Sequence, residues 1–195
     1  MFKGLQRILS VPELKKKIIY TLLLLAVVRI GAFIPVPGIN GEIALNYFRF
    51  VTRGSQNLFQ LVDIFSGGAF GQMTVIALGI MPYITASIVV QTLMAIIPSF
   101  QREVKENYEA GKRKISRWTR LFASVLSLFQ ASLLARYALQ MNQSQPGIVV
   151  HELFRIQIHG FPWLFYAIVI FTMTTGTLFL MWVGEQISEK GIGNG

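Results

Sequence analysis

Four apolar stretches, each about as long as a bilayer is thick, constrain this chain more than any other feature. They run from Ile18 to Val36 (IIYTLLLLAVVRIGAFIPV), Met73 to Ile97, Leu121 to Leu139 and Phe161 to Val183. A helix that crosses the ~30 Å hydrocarbon core needs about 20 such residues in succession. With no water at that depth, backbone N–H and C=O groups must bond to one another, and a helix does this within one segment. Composition points the same way. Of 195 residues, 53% are hydrophobic and only 14% charged, where a soluble domain carries about a quarter charged. The expected fold is an all-α, polytopic membrane helix bundle with four transmembrane helices at 18–36, 73–97, 121–139 and 161–183.

The positive charges orient these spans. Lys3, Arg7, Lys15, Lys16 and Lys17 precede the first; Arg102, Lys105, Lys112, Arg113, Lys114, Arg117 and Arg120 lie between the second and third. The other connections hold Arg49, Arg53 and Arg155. Lysine and arginine concentrate in cytoplasmic loops, so the N-terminus, the basic loop 98–120 and the stretch 184–195 are expected in the cytoplasm. Topology thus accounts for the net charge of +9 without nucleic acid as a partner. Residues 1–17 read as an amphipathic helix at the interface, with Phe2, Leu5, Ile8 and Leu9 on one face and Lys3 and Arg7 opposite. No small-residue cleavage site follows the first apolar run, which argues against a signal peptide. The external connections are 37–72, with its PVPGING turn chemistry and polar RFVTRGSQN, and 140–160, with a Pro146-Gly147 turn. The tail of the latter, IVVHELFRIQIHG, suits either a short strand pair or an interfacial helix.

Catalytic chemistry is missing. There is no GxxxxGK[ST], HExxH or GxSxG, and all nine acidic residues lie outside the spans or at their margins. That argues against a proton relay through membrane carboxylates. The chain has no cysteine, and His151 and His159, with Glu152 beside them, make a weak metal site. No enzyme, cofactor or metal is expected. A conduit, a scaffold, or half of a transporter remains.

The second stretch is the most informative. Ile80, Ile84 and Ile88 recur every four residues and share one face of a helix starting near Met73. Side chains this stiff form a constriction that excludes water, or they face lipid or another helix. Pro82 is expected to free the Leu78 carbonyl and bend the helix. Thr85, Ser87 and Gln91 need polar partners, Gln130 in the third stretch among them; such bonds serve helix packing or a switchable latch. Ahead lies LVDIFSGGAFG, too short to span. It suits an external interfacial helix, or a half-helix that Gly67-Gly68 keep loose enough to enter and leave a cavity. Arg29 sits about 10 Å inside the outer end of the first stretch. It is a functional candidate by default, or it snorkels to the interface, as Arg136 does near the end of the third stretch.

Taken together, FSGGAFG, GIMPYITASIVVQ, RIGAFIPVPGI, GKRKISRWTR and TGTLFLMWVGEQISEKGIGNG resemble the SecY family, the channel subunits of the bacterial protein translocon. The resemblance covers essentially the whole chain but only the first half of a family built from ten spans in two pseudo-symmetric halves, so a fragment is expected. It implies a plug at 61–72 that seals the pore from outside, including Ile64, Phe65, Ser66, Gly67, Gly68, Ala69 and Phe70. It also implies pore-ring positions at Ile80 and Ile84, and places the second and third spans together on one side of a lateral gate, with Thr85 and Gln130 in the polar cluster that helps latch it. Arg102, Lys105, Lys112, Arg113 and Lys114 would face the ribosome, with its RNA, or the SecA motor. The other implied partners are SecE, SecG, signal sequences, nascent polypeptides and the lipid bilayer, in the bacterial plasma membrane and with no cofactor. Such a channel passes unfolded polypeptides across the membrane and releases helices into it. The rival from another class is one inverted repeat of a small-molecule secondary transporter, with the second span lining a substrate site.

Overall fold

A computed structural model describes residues 11–52, 58–97, 108–150 and 162–192. Among them every regular element is a helix, with no strand and two isolated antiparallel bridges. The expected interfacial helix at the N-terminus falls largely outside the described residues. The helices are α1 (Pro12–Gly31), α2 (Gly41–Thr52), α3 (Leu58–Phe65), α4 (Met81–Ile96), α5 (Tyr108–Ser144) and α6 (Trp163–Lys190).

Helix α1 differs from the apolar stretch 18–36 at both ends. It starts at Pro12, whose missing N–H costs nothing in a first turn, and so takes in Lys15, Lys16 and Lys17. It stops at Gly31, since Pro35 has no N–H to offer the Gly31 carbonyl and its ring would clash with it in a continued helix. Helix α2 lies inside the external connection 37–72, where the sequence predicts turn and polar loop. Asn40 caps it, accepting from the Ile43 N–H at 3.3 Å, and Ala44 and Phe48 bury one face at four-residue spacing.

Among the described residues, two helices are long and apolar enough to cross a bilayer by length and composition: α6, and α5 from Gly111 onward. Helix α4, with 16 residues, is about 24 Å long, shorter than the hydrocarbon core. Helix α5 packs between α4 and α6, and α1 lies along α6. Beside Leu134 and Met141, the buried residues of α5 include Ala123, Ser127, Ala131, Ala135 and Ala138, small side chains that let helix backbones approach closely. Helix α6 answers with Phe165, Val169 and Met173, while its Leu180 packs with Ala32, Ala69 and Ile76. The helix directions follow from their end contacts. Arg120 Nε meets Glu185 Oε1 at 2.7 Å, and Tyr20 donates to Gln186 Oε1 at 3.3 Å. The start of α1, the basic first part of α5 and the end of α6 therefore share one end of the bundle.

At the opposite end the connections pair with one another over a core of Val36, Ile39, Phe48, Phe70, Met73, Ile148 and Phe165. The Val36 N–H donates to the Met73 carbonyl at 3.0 Å, and the Val75 N–H to the Ile34 carbonyl at 2.9 Å. Likewise Asn40 donates to Ile148 at 2.8 Å and Val150 to Gly38 at 3.0 Å. Asn142 Oδ1 accepts from the Gly147 and Val149 N–H groups and fixes the turn between them. Of the tail left open between strands and helix, Val149 and Val150 thus begin extended; 151–160 lie outside the described residues.

Candidate functional site

The second apolar stretch is not one helix. Residues 66–80 between α3 and α4 form consecutive turns, and the backbone angles show why. Gly67, Gly68 and Gly79 have φ of 67°, 85° and 57°, and Met73 has 49°. Glycine enters this left-handed region freely; methionine does so under strain, which persists only where surroundings over-determine it. Met73 is held by burial and by its carbonyl's bond to Val36.

Polar side chains replace the bonds a helix would have made. Asp63 Oδ1 accepts from the Gly71 N–H at 2.8 Å, and its carbonyl from Gly68 at 2.8 Å and the Ser66 hydroxyl at 3.0 Å. Ser66 Oγ accepts in turn from the Phe70 N–H at 3.0 Å. Beyond this knot the chain is sunk in protein: Ala69, Phe70, Thr74, Ile76, Ala77 and Leu78 are buried. Irregular backbone at membrane depth is tolerated in such an enclosure. Asp63→Ala is expected to cost about 1–2 kcal/mol locally, read as roughly ten-fold faster hydrogen exchange at the Gly71 amide.

The break corrects the reading of Pro82. With Gly79 left-handed and Ile80 as the N-cap, Pro82 falls in the first turn of α4. There its ring pre-sets helical φ and forfeits no helix bond, so it starts a helix rather than bending one. Ile80, Ile84 and Ile88 are 51%, 41% and 60% exposed, while Pro82, Ala86 and Val90 on the other side of α4 are buried. Thr85 donates to the Met81 carbonyl at 2.9 Å and Gln91 to Ser87 Oγ at 2.8 Å, both within α4. Gln130 is half-buried on α5; among the described residues no hydrogen bond joins it to Thr85.

Around the knot, Ile64 and Phe65 are exposed, Gly67 is exposed, Ser66 and Gly68 are half-buried, and Ala69 and Phe70 are buried. Phe70 sits edge-on to Phe48 with centroids 5.9 Å apart. Arg29 reaches in from α1 and donates from Nη1 to the Gly67 carbonyl at 2.8 Å. Lys112 and Arg113 are exposed and Lys114 half-buried at the start of α5; Arg102 and Lys105 lie outside the described residues, as do His151 and His159.

Two residues that sequence reasoning passed over matter here. Asp63 organises the knot, and Gly176 lets α6 touch it: a Cβ on Gly176 would overlap the Val75 carbonyl. The run Thr174-Thr175-Gly176-Thr177 was a visible signal, since small residues mark close approach in membrane helices.

Apolar helices, basic charge gathered at one end and an irregular segment enclosed by protein define a polytopic helical membrane protein. The SecY family model matches residues 74–195. The chain belongs to the SecY family. It is similar to the protein translocase subunit SecY of Chlamydia trachomatis, 57% identical over 191 residues that cover 98% of this chain and 42% of that protein. Its counterpart in Halalkalibacterium halodurans is 43% identical over 196 residues, covering 100% and 41%, and that of Escherichia coli 42% over 183, covering 94% and 38%. The chain spans about two-fifths of the length of these relatives.

Proposed function

We propose that this chain is the N-terminal part of a protein-conducting channel of the plasma membrane, with no catalytic step of its own. It passes unfolded polypeptides across and releases apolar helices sideways into lipid. What carries the reading is the sequence of elements α3, irregular segment, α4: a short apolar half-helix, a glycine-kinked enclosed turn, then a helix that starts on Ile80. That order suits a plug at 61–72 followed by a pore wall, a role that family membership and the relatives' description as protein translocase subunits support.

In this reading Ile80 and Ile84 belong to a ring that fits loosely around varied side chains, because it makes no directional bonds, and sheds water when empty. Segments 18–36, 73–97, 121–139 and 161–183 span the bilayer, and 184–195 leads toward a fifth helix. The shared end of α1, α5 and α6 carries Lys15, Lys16, Lys17, Arg117 and Arg120, which supports placing it in the cytoplasm. There Arg102, Lys105, Lys112, Arg113 and Lys114 meet SecA or the ribosome, while SecE and SecG complete the assembly. Helices α4 and α5, packed on one another, form one side of a lateral gate that must open, so Thr85 and Gln130 suit it as weak polar contacts that exchange partners.

The test uses a hybrid channel in which this chain replaces the matching segment of the Chlamydia trachomatis relative. Phe65→Asn or Gly68→Arg is expected to loosen the closed plug and permit export of a substrate whose signal sequence is weakened. Export as selective as before, from normally accumulated protein, removes the plug from the account.

A further inference from the structure

We propose that Arg29 is a positioning residue, a latch that holds the 61–72 segment against the end of α1 through the Gly67 carbonyl; this rests on the channel reading above. Three observations converge. The Nη1 to Gly67 bond of 2.8 Å is a charge-assisted one. The guanidinium carbon also stands 4.8 Å from the centroid of the Phe33 ring, within cation–π range. And a Cβ at Gly67, already at φ +67°, would come within 3.3 Å of Nη1, so the arginine is seated directly on the glycine.

The location explains the charge. Helix α1 ends at Gly31 and α3 at Phe65, so two helix C-termini, each carrying partial negative charge, converge here. A cation in the last turn of α1 is favourable to both. The Phe33 contact lies within the end of the first span and does not involve the 61–72 segment, so the receptor is expected to stay in place when the segment leaves.

Among the described residues, the exposed side of α3 is sparsely held. Leu61, Ile64 and Phe65 are 54%, 69% and 72% exposed, and Val62 packs partly buried on the main core. Ala69 and Phe70 are buried at the far end of the segment, so the charge-assisted bond weighs on the balance between seated and displaced conformations of its exposed half, 61–68. Its loss is expected to shift that balance roughly ten-fold.

The experiment compares Arg29→Gln, Arg29→Lys, Phe33→Leu and the double variant Ile80→Gly with Ile84→Gly in the hybrid channel reconstituted in liposomes. Hydrogen exchange of the 61–72 peptide and ion leak are measured together. Arg29→Gln is expected to raise exchange roughly ten-fold and to increase leak, and Arg29→Lys to restore most of both, a rescue that a purely structural role for the arginine side chain would not produce. Wild-type exchange and leak in Arg29→Gln, or a lysine variant as fast as the glutamine one, overturns the latch. Where the isoleucine pair leaks and Arg29→Gln does not, the channel reading survives and the latch alone fails. Where neither leaks, the channel reading fails and takes the latch with it. Should Arg29→Gln not accumulate, Phe33→Leu decides, because it keeps the cation and removes its stack. A roughly three-fold rise in exchange supports the latch, and no change overturns it.

Discussion

Gly176→Leu is expected to prevent the helices from packing, lowering stability by about 3 kcal/mol or more and with it the amount of protein retained in the membrane. A Cβ at this position overlaps the Val75 carbonyl oxygen and would lie 2.8 Å from its carbon, before any further side-chain atoms are added. Neither partner has room to retreat. Val75 is fixed by its N–H bond to Ile34 at 2.9 Å and by the neighbouring Pro35–Thr74 bridge. Helix α6 is held on both sides of the glycine by buried Met173, Thr177 and Leu180. Gly176→Ala meets the same overlap with one carbon and should be destabilised in the same direction. Thr175→Ala is the control: Thr175 is exposed and donates to the Phe171 carbonyl one turn away, so its loss should change stability by under about 0.5 kcal/mol. Thermal unfolding in detergent reads all three. A leucine variant as stable as the parent contradicts the close packing of α6 on the irregular segment.

The second large effect is on conductance. Replacing Ile80 and Ile84 together with glycine in the hybrid channel should raise ion leak several-fold while leaving the protein in the membrane. Both side chains are exposed, so their removal opens no cavity in the packed side of α4. Glycine is tolerated at the Ile80 N-cap but costs about 1 kcal/mol of helix propensity at Ile84. An alanine pair separates the two influences, since it removes the branched side chains and keeps the helix. The alanine pair should leak less than the glycine pair and more than the parent, in proportion to the apolar bulk that keeps water out. Parental conductance in both pairs is incompatible with an isoleucine ring.

Much of this molecule is legible without coordinates. A run such as WLFYAIVIFTMTTGTLFLMWV has little choice but to be helical in lipid, and α6 is. The charge pattern anticipated which helix ends share a side, and Arg120 meeting Glu185 accords with it. Boundaries were less legible. The start of α1 depended on reading Pro12 as an opening rather than a break, and its end on the influence of Pro35. Helix α2 escaped notice because its apolar face, Ala44 and Phe48, is short and surrounded by turn residues.

The candidate site was half legible. FSGGAFG announced a loose apolar segment, and the isoleucine spacing announced a shared face. The uninterrupted hydrophobicity of 73–97, however, hid the break, because hydropathy has no term for φ. Around the left-handed Met73 the backbone is pinned from distant parts of the chain, by Val36 at the Met73 carbonyl and by Ile34 and Gly176 at Val75. The partner of Arg29 was equally unreadable, since Gly67 lies 38 residues away.

The amino-acid sequence by itself therefore determined the solvent, the helical class, the family and the clustering of charge at one end, since these follow from composition, local periodicity and motif. Only the tertiary structure decided where the second apolar stretch stops being irregular and becomes a helix, what Asp63 and Arg29 hold, and why position 176 must lack a side chain. Those outcomes depend on backbone groups brought together from far apart, and such meetings leave no local trace in the residues that make them.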